Sequence, residues 1–215
     1  MNLRTADQPV SAFQVPAREL CQAQRKRRSL QLRKISLTNF FRLKAIFTRG
    51  VLDIARKTRI PRGTTIMWKD GSVKLGQRVK FRRGVVVDAQ KDSIEIGNNV
   101  SLNDYVILLG RGGIKIGNDV RIAGHVMVVS FDHNFDDVTQ PIRMQGVTKK
   151  PIVIEDDVWI GGGAKILGGS HIGKGCVIGA NAVVKGDTKP YGVYVGSPAR
   201  FLKWRGDTAS RNAAE

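Results

Sequence analysis

From about Ile66 onward, aliphatic positions recur every six residues, a period that fits neither a helix nor a simple alternating strand. The copies LGQRVKF (Leu75–Phe81), IGNNVSL (Ile96–Leu102), IGNDVRI (Ile116–Ile122), IEDDVWI (Ile154–Ile160) and IGKGCVI (Ile172–Ile178) share one plan. An aliphatic residue is followed by a Gly or acid, two polar turn formers, a small or β-branched residue and one free position. Looser copies lie between them: IAGHVM (Ile122–Met127), IGGGAK (Ile160–Lys165), ILGGSH (Ile166–His171) and IGANAV (Ile178–Val183).

Such a repeat predicts short strands joined by tight corners, three strands and 18 residues to a coil, with the aliphatic and small side chains inward. Ile154 to Ile172 is one such step, and Ile172 to Pro190 is a second of 18. Earlier steps of 21 (Leu75 to Ile96) and 20 (Ile96 to Ile116) place small bulges in QKDSIE and LLGRGG. The step from Ile116 to Ile154 is 38 residues, two coils plus a polar loop over about 134–151 extruded from a corner. An ordinary β-sandwich has no reason to repeat Ile-Gly-x-x-Val every six residues.

The N-terminal region has another pattern. Residues 1–24 are polar and unpatterned, and within Arg25–Lys57 the residues Leu37, Phe40, Phe41, Phe47, Val51 and Ile54 fall at mostly helical spacing among Arg and Lys. One or two basic amphipathic helices are expected, packed on the main domain or lying on an anionic membrane surface. The chain thus divides into a basic segment (1–59), a solenoid (60–205) and a flexible tail (206–215), with Arg200–Glu215 available as a C-terminal cap.

Charge sharpens this division. Of the net +18, residues 1–59 carry +11, from 14 Lys or Arg against 3 acids. Nucleic-acid binding is disfavoured, because no stacking or zinc-finger motif accompanies the charge. Cys21 and Cys176 are too few for a disulfide framework, and Cys176 should be a small core residue. With no apolar run near the roughly 18 residues of a bilayer span and no secretory h-region, a cytoplasmic location at the inner face of the membrane is expected.

The hexapeptides, the extruded loop with its His and the ending VYVGSPARFLKWR (Val193–Arg205) resemble the left-handed β-helix acyltransferases. The branch is that of the galactoside, maltose, Nod-factor and polysaccharide O-acetyltransferases. The resemblance implies an all-β, left-handed parallel β-helix, a homotrimer, and acetyl-CoA held between neighbouring helices.

Acetyl transfer from a thioester to a hydroxyl needs a base, a donor for the developing oxyanion and alignment of two substrates. Histidine suits the first task. His125 and His171 fall at outward positions of repeats and read as surface residues, whereas His133 ends the last regular strand before the loop, where the family carries its base. Asp132 either orients that imidazole or marks the turn; Asp136 and Asp137 read as loop residues. The resemblance places Asn103 at the acceptor or acetyl oxygen, Trp159 and Ala180 along the cofactor groove, and the Gly162 amide as oxyanion donor. Lys185, Arg200 and Lys203 fall where CoA contacts are expected, with Gly186 standing where a Lys is common.

The expected activity is therefore acetyl-CoA-dependent O-acetylation of a sugar hydroxyl by direct attack, without an acyl-enzyme. The acceptor is expected to be a cell-surface polysaccharide or its precursor, anionic or lipid-linked, with peripheral membrane contact through residues 25–57. N-acetylation of an amino sugar or antibiotic, acyl transfer from a carrier protein, and a non-catalytic or nucleic-acid-binding scaffold are the alternatives. The spacing of the three histidines does not resemble the zinc ligands of carbonic anhydrases on this fold, and no metal site is expected.

Overall fold

The computed structural model describes residues 49–207. These wind into a parallel β-solenoid of three sheets, of six, seven and six strands. The first face holds Val51–Ile54, Ser72–Leu75, Ser93–Ile96, Ile114–Ile116, Ile152–Ile154 and His171–Ile172. The second holds Lys80–Phe81, Ser101–Leu102, Arg121–Ile122, Trp159–Ile160, Val177–Ile178 and Gly192–Val195, closed by the antiparallel Arg200–Trp204. The third holds Thr65–Met67, Val86–Asp88, Ile107–Leu109, Met127–Val129, Lys165–Leu167 and Val183–Val184.

The six-residue plan explains this winding. Its aliphatic position points inward on every face, so Ile54, Leu75, Ile96, Ile116, Ile154 and Ile172 stack in one column, all buried. The small or β-branched position fills the next column, where Val79, Val100, Val120, Val158 and Cys176 are buried. Between them each corner passes through the left-handed region, as at Asn99 (φ 58°) and Asp119 (φ 59°), residue types that tolerate it.

The sequence-based boundaries shift in three places. The solenoid begins at Val51, so Val51 and Ile54 belong to a strand paired with Ser72–Leu75 and not to a helix; the rest of the helical pattern lies outside the described residues. The polar loop is a β-hairpin, Phe131–His133 pairing antiparallel with Val147–Lys149, and it starts before residue 134. The last step is shorter than 18, because His171 bridges Asp187, 16 residues on. Thr188 then occupies the inward position, where its hydroxyl accepts from the Gly173 N–H at 2.9 Å and ends the aliphatic column.

All the extra residues gather at one edge. Gln90–Asp92, Gly110–Gly113 and the hairpin all lie between a third-face strand and the following first-face strand. The other two corners keep the repeat's fixed length.

The outer surfaces differ. On the first face Asp53, Lys74, Glu95 and Lys115 alternate in register, with Lys74 and Glu95 paired at 2.7 Å. The third face presents two aliphatic rows, Val86–Ile107–Met127 and Leu109–Val129–Leu167, all half-buried. Among the described residues no helix is long and apolar enough to cross a membrane.

Candidate active site

His133 ends the first hairpin strand, opposite Val147, and its exposed ring lies edge-on to Phe131 with 6.1 Å between centroids. Asp132 does not orient it. Neighbouring strand residues point to opposite sides, and the Asp132 carboxylate accepts from Lys150 Nζ at 2.6 Å, closing the neck of the hairpin. Lys149 reaches Asp92 at 3.1 Å on the other side of that neck. Asn134 ties the two strands further, donating from Nδ2 to the Gln145 carbonyl and accepting from the Thr148 hydroxyl at 2.6 Å.

Asp137 organises the hairpin tip. Hydrogen bonds from the Thr139 hydroxyl and amide, and then from Gln140, hold its carboxyl below the ordinary carboxylate range. A fixed tip nevertheless leaves Phe135, Val138, Ile142 and Met144 exposed, Val138 at 95%.

Asn103, Gly162 and Ala180 all lie on a different edge, the corner between the second and third faces. This corner is a ladder: Tyr105 N–H donates to the Arg83 carbonyl, His125 to Asp104, Gly163 to Gly124 and Asn181 to Gly162, at 2.8–2.9 Å. Asn103 Nδ2 donates to the Ile122 carbonyl at 2.8 Å, which fixes the side chain against the coil above. Gly161 is required here, since a Cβ would meet Ala180 N at 2.6 Å.

Comparison of two corners shows what is special about this one. At the corner between the first and second faces, three successive outward amides are each capped by a side chain of the next coil. Gln77 N–H donates to Asn98 Oδ1, Asn98 N–H to Asn118 Oδ1, and Asn118 N–H to Asp156 Oδ1. At the equivalent position of the second–third corner the successive residues are Arg83, Asp104, Gly124, Gly162 and Ala180. Only the Arg83 amide is capped, by Asp104 Oδ1 at 3.0 Å. Gly and Ala have no side chain to offer the coil below, and among the described residues the amides of Asp104, Gly124, Gly162 and Ala180 donate to no protein acceptor. The result is a row of outward N–H groups rising by about 4.8 Å per coil.

The remaining predicted residues are distributed around this row. Trp159, 56% exposed, stands on the second face between Arg121 and Val177 in register. Arg200 follows the turn 196–199 at the top of the second–third edge and donates to the Ala199 carbonyl at 3.0 Å. Lys203 sits opposite Val193 on the second face. Lys185 follows Val183–Val184 and so shares the third–first edge with His133, away from the amide row. Of the other histidines, His171 is on the first face, bonded to Glu155 at 2.7 Å, and that bond together with the Lys174 amide lowers the Glu155 pKa. His125 stacks on Tyr105, with ring centroids 5.2 Å apart. Gly124 was not among the residues singled out from sequence, although counting six through IAGHVM places it one coil before Gly162.

Residues 151–186 match the bacterial transferase hexapeptide family (six repeats). Over 69% of this chain and 80% of the relative, the sequence is 31% identical to WbbJ of Escherichia coli strain K12, assigned as a lipopolysaccharide biosynthesis O-acetyl transferase. The chain belongs to the hexapeptide-repeat acetyltransferase family. It is also 34% identical, over 77% of its length, to Rv3034c of Mycobacterium tuberculosis, assigned as an acetyltransferase, and spans 56% of that protein. Among solved structures, a hexapeptide-repeat acetyltransferase of Vibrio cholerae superposes with a TM-score of 0.57 at 34% identity, covering 62% of this chain and 74% of that one. The same enzyme has been solved with acetyl-CoA, matching at a TM-score of 0.50 and 29% identity over 67% of this chain and 72% of that one. The family match takes in Trp159, Gly162, Ala180 and Lys185, so it spans the upper part of the amide row but not the hairpin.

Proposed function

We propose that the protein transfers an acetyl group from acetyl-CoA to a sugar hydroxyl of a glycan, at a site formed between two chains of a homotrimer. The observation that carries the reading is the row of uncapped amides at Asp104, Gly124, Gly162 and Ala180, where above Asp104 the residues bearing the amides are only Gly and Ala. A pantetheine arm is extended and carries amide carbonyls, so it suits a row of N–H donors beside small residues. Trp159 flanks the row, and Arg200 at its upper end suits phosphate oxygens through its fork of donors.

Two chains are needed because His133 and the amide row occupy the two edges that bound the third face. The middle of that face is aliphatic, and burying it against symmetry mates about an axis parallel to the solenoid brings one edge of each chain against the other edge of the next. His133 and the exposed Phe135, Val138, Ile142 and Met144 of one chain then face Asn103 and Gly162 of its neighbour. Three chains is the number the family resemblance implies.

In this arrangement a His133 ring nitrogen takes the proton of the acceptor hydroxyl as its oxygen attacks the thioester carbonyl. The Gly162 N–H faces the oxyanion as it develops, and Asn103 positions the acceptor or acetyl oxygen. Expulsion of the CoA thiolate restores the carbonyl, and the proton held by His133 passes to the sulfur. Cys176 takes no part, being fully buried with its thiol donating to the Lys189 carbonyl at 3.0 Å. The O-acetyl transferase relative supports a hydroxyl over an amine as acceptor. Calorimetric titration with acetyl-CoA tests the reading: one site per chain is expected, and the absence of binding would overturn it.

A further inference from the structure

Below Asn103 the same edge changes character. The first two coils place Arg59, Lys80, Arg82, Arg62 and Arg83 on the second face and its adjoining corner, all exposed. Arg121 continues the row of Arg59, Lys80 and Ser101 two coils higher. Arg82 occupies the position directly beneath Asn103, their amides donating to the carbonyls of Leu102 and Ile122 respectively. Arg83 lies beneath Asp104, its guanidinium 5.4 Å from the Tyr105 ring centroid.

Among the described residues these cations are not balanced. Asp104 is the one acid at this corner of the lower coils among the described residues, and its Oδ1 is occupied by the Arg83 amide. Among the described residues Arg59, Arg62, Lys80, Arg82 and Arg83 form no ion pair, whereas on the first face of the same coils Lys74 is matched by Glu95. Like charges about 5 Å apart repel one another, and that cost is offset when an anion joins them.

We propose that this basic lower corner binds the anionic group of a phosphate- or carboxylate-bearing glycan, so that the acceptor's charge lies on Arg82 and Arg83 and its hydroxyl lies at Asn103. The two substrates then share one edge, acetyl-CoA along the uncapped amides above Asn103 and the acceptor below it. This placement rests on the acetyltransferase reading given above. A membrane surface fits less well, because within the first two coils the rows of Arg59, Arg82 and Arg83 carry no exposed aliphatic or aromatic side chain to enter a bilayer. Guanidinium forks match carboxylate and phosphate oxygens alike.

The test is calorimetric titration of the full chain, at fixed low ionic strength, with maltoheptaose, maltoheptaose 1-phosphate and heptagalacturonate. The same titrations follow on Arg82→Gln/Arg83→Gln and on a charge-matched control, Lys115→Gln/Lys174→Gln, whose side chains lie away from this corner. At least one anionic glycan is expected to bind roughly tenfold more tightly than maltoheptaose, and the arginine variant to lose that preference while the control keeps it. Preference for the phosphate or for the carboxylate ligand identifies the group. Equal binding of neutral and anionic chains, or an arginine variant that binds like the unmodified protein, overturns the proposal. So does binding to phosphatidylglycerol vesicles that the arginine variant loses while glycan preference is absent. If acetyl-CoA binds normally and the anionic glycan does not, this proposal alone fails; if acetyl-CoA itself does not bind, the acetyltransferase reading fails first.

Discussion

Asp132 and Lys150 meet at 2.6 Å across the base of the hairpin, one residue before His133 and at the point where the chain rejoins the solenoid. The pair fixes the angle at which the hairpin leaves the third–first edge. Both side chains are more than a third exposed, so the ion pair stabilises the fold by no more than about 1 kcal/mol. Its effect should be on activity. Asp132→Asn and Lys150→Met are expected to leave thermal stability nearly unchanged and to lower kcat by on the order of 10- to 100-fold through misplacement of His133. Steady-state kinetics beside thermal melts separate the two effects.

His133→Ala should lower kcat by about 10²- to 10⁴-fold, the usual effect of removing a positioned base, while acetyl-CoA binding stays close to that of the unmodified protein. Turnover near the original value would remove His133 from the mechanism.

Gly162→Pro deletes the proposed oxyanion donor and is expected to cost about 10²- to 10³-fold in kcat. With the site formed between chains as proposed, mixing His133→Ala and Gly162→Pro subunits should restore part of the activity in sites that receive both intact groups. No recovery in mixed assemblies of confirmed composition would place the site within a single chain.

Ile107→Glu puts a charge in the centre of the aliphatic third face without touching the core, since Ile107 is half-buried and points outward. The variant should keep its β circular dichroism, run as a monomer in light scattering and lose activity. An active monomer would contradict the two-chain site.

Ile166 is fully buried, and Ile166→Ala should destabilise the solenoid by about 2–5 kcal/mol, read from denaturant unfolding. Glu155 offers a pH-dependent counterpart. Its pKa is lowered from 4.5, first by the His171 hydrogen bond and then by the Lys174 amide. A depressed carboxylate pKa stabilises the fold above the unfolded value and loses that contribution as pH falls through the folded one. The melting-temperature difference between the unmodified protein and Glu155→Gln should therefore hold above pH 4.5 and shrink below it; a difference independent of pH would show that the pair contributes nothing.

Much of the architecture could be read from the chain because each coil reports on itself. Ile-Gly-x-x-Val at a fixed interval specifies an inward aliphatic, a corner and a small inward residue through contacts only one coil away. Cys176 in the core and the insertions near Gln90–Asp92 and Gly110–Gly113 followed directly. The last coil did not. Whether Asp187 or a residue two positions on would pair with His171 depends on a tight turn around Gly186 (φ 93°), and no repeat lies beyond it to set the register.

The hexapeptide pattern alone specified the period, the column of buried aliphatic residues, the corner from which an inserted segment leaves, and which residue types could carry acyl transfer. Which of those residues share an edge emerged only from the stacked coils. His133 and Gly162 are 29 residues apart in sequence, a number with no geometric meaning once the chain turns a corner every six residues and inserts a hairpin between them. Nor could the chain alone show that the amides of Asp104, Gly124, Gly162 and Ala180 go uncapped, because each cap is a side chain from the following coil. That relationship exists only when successive coils are stacked in register.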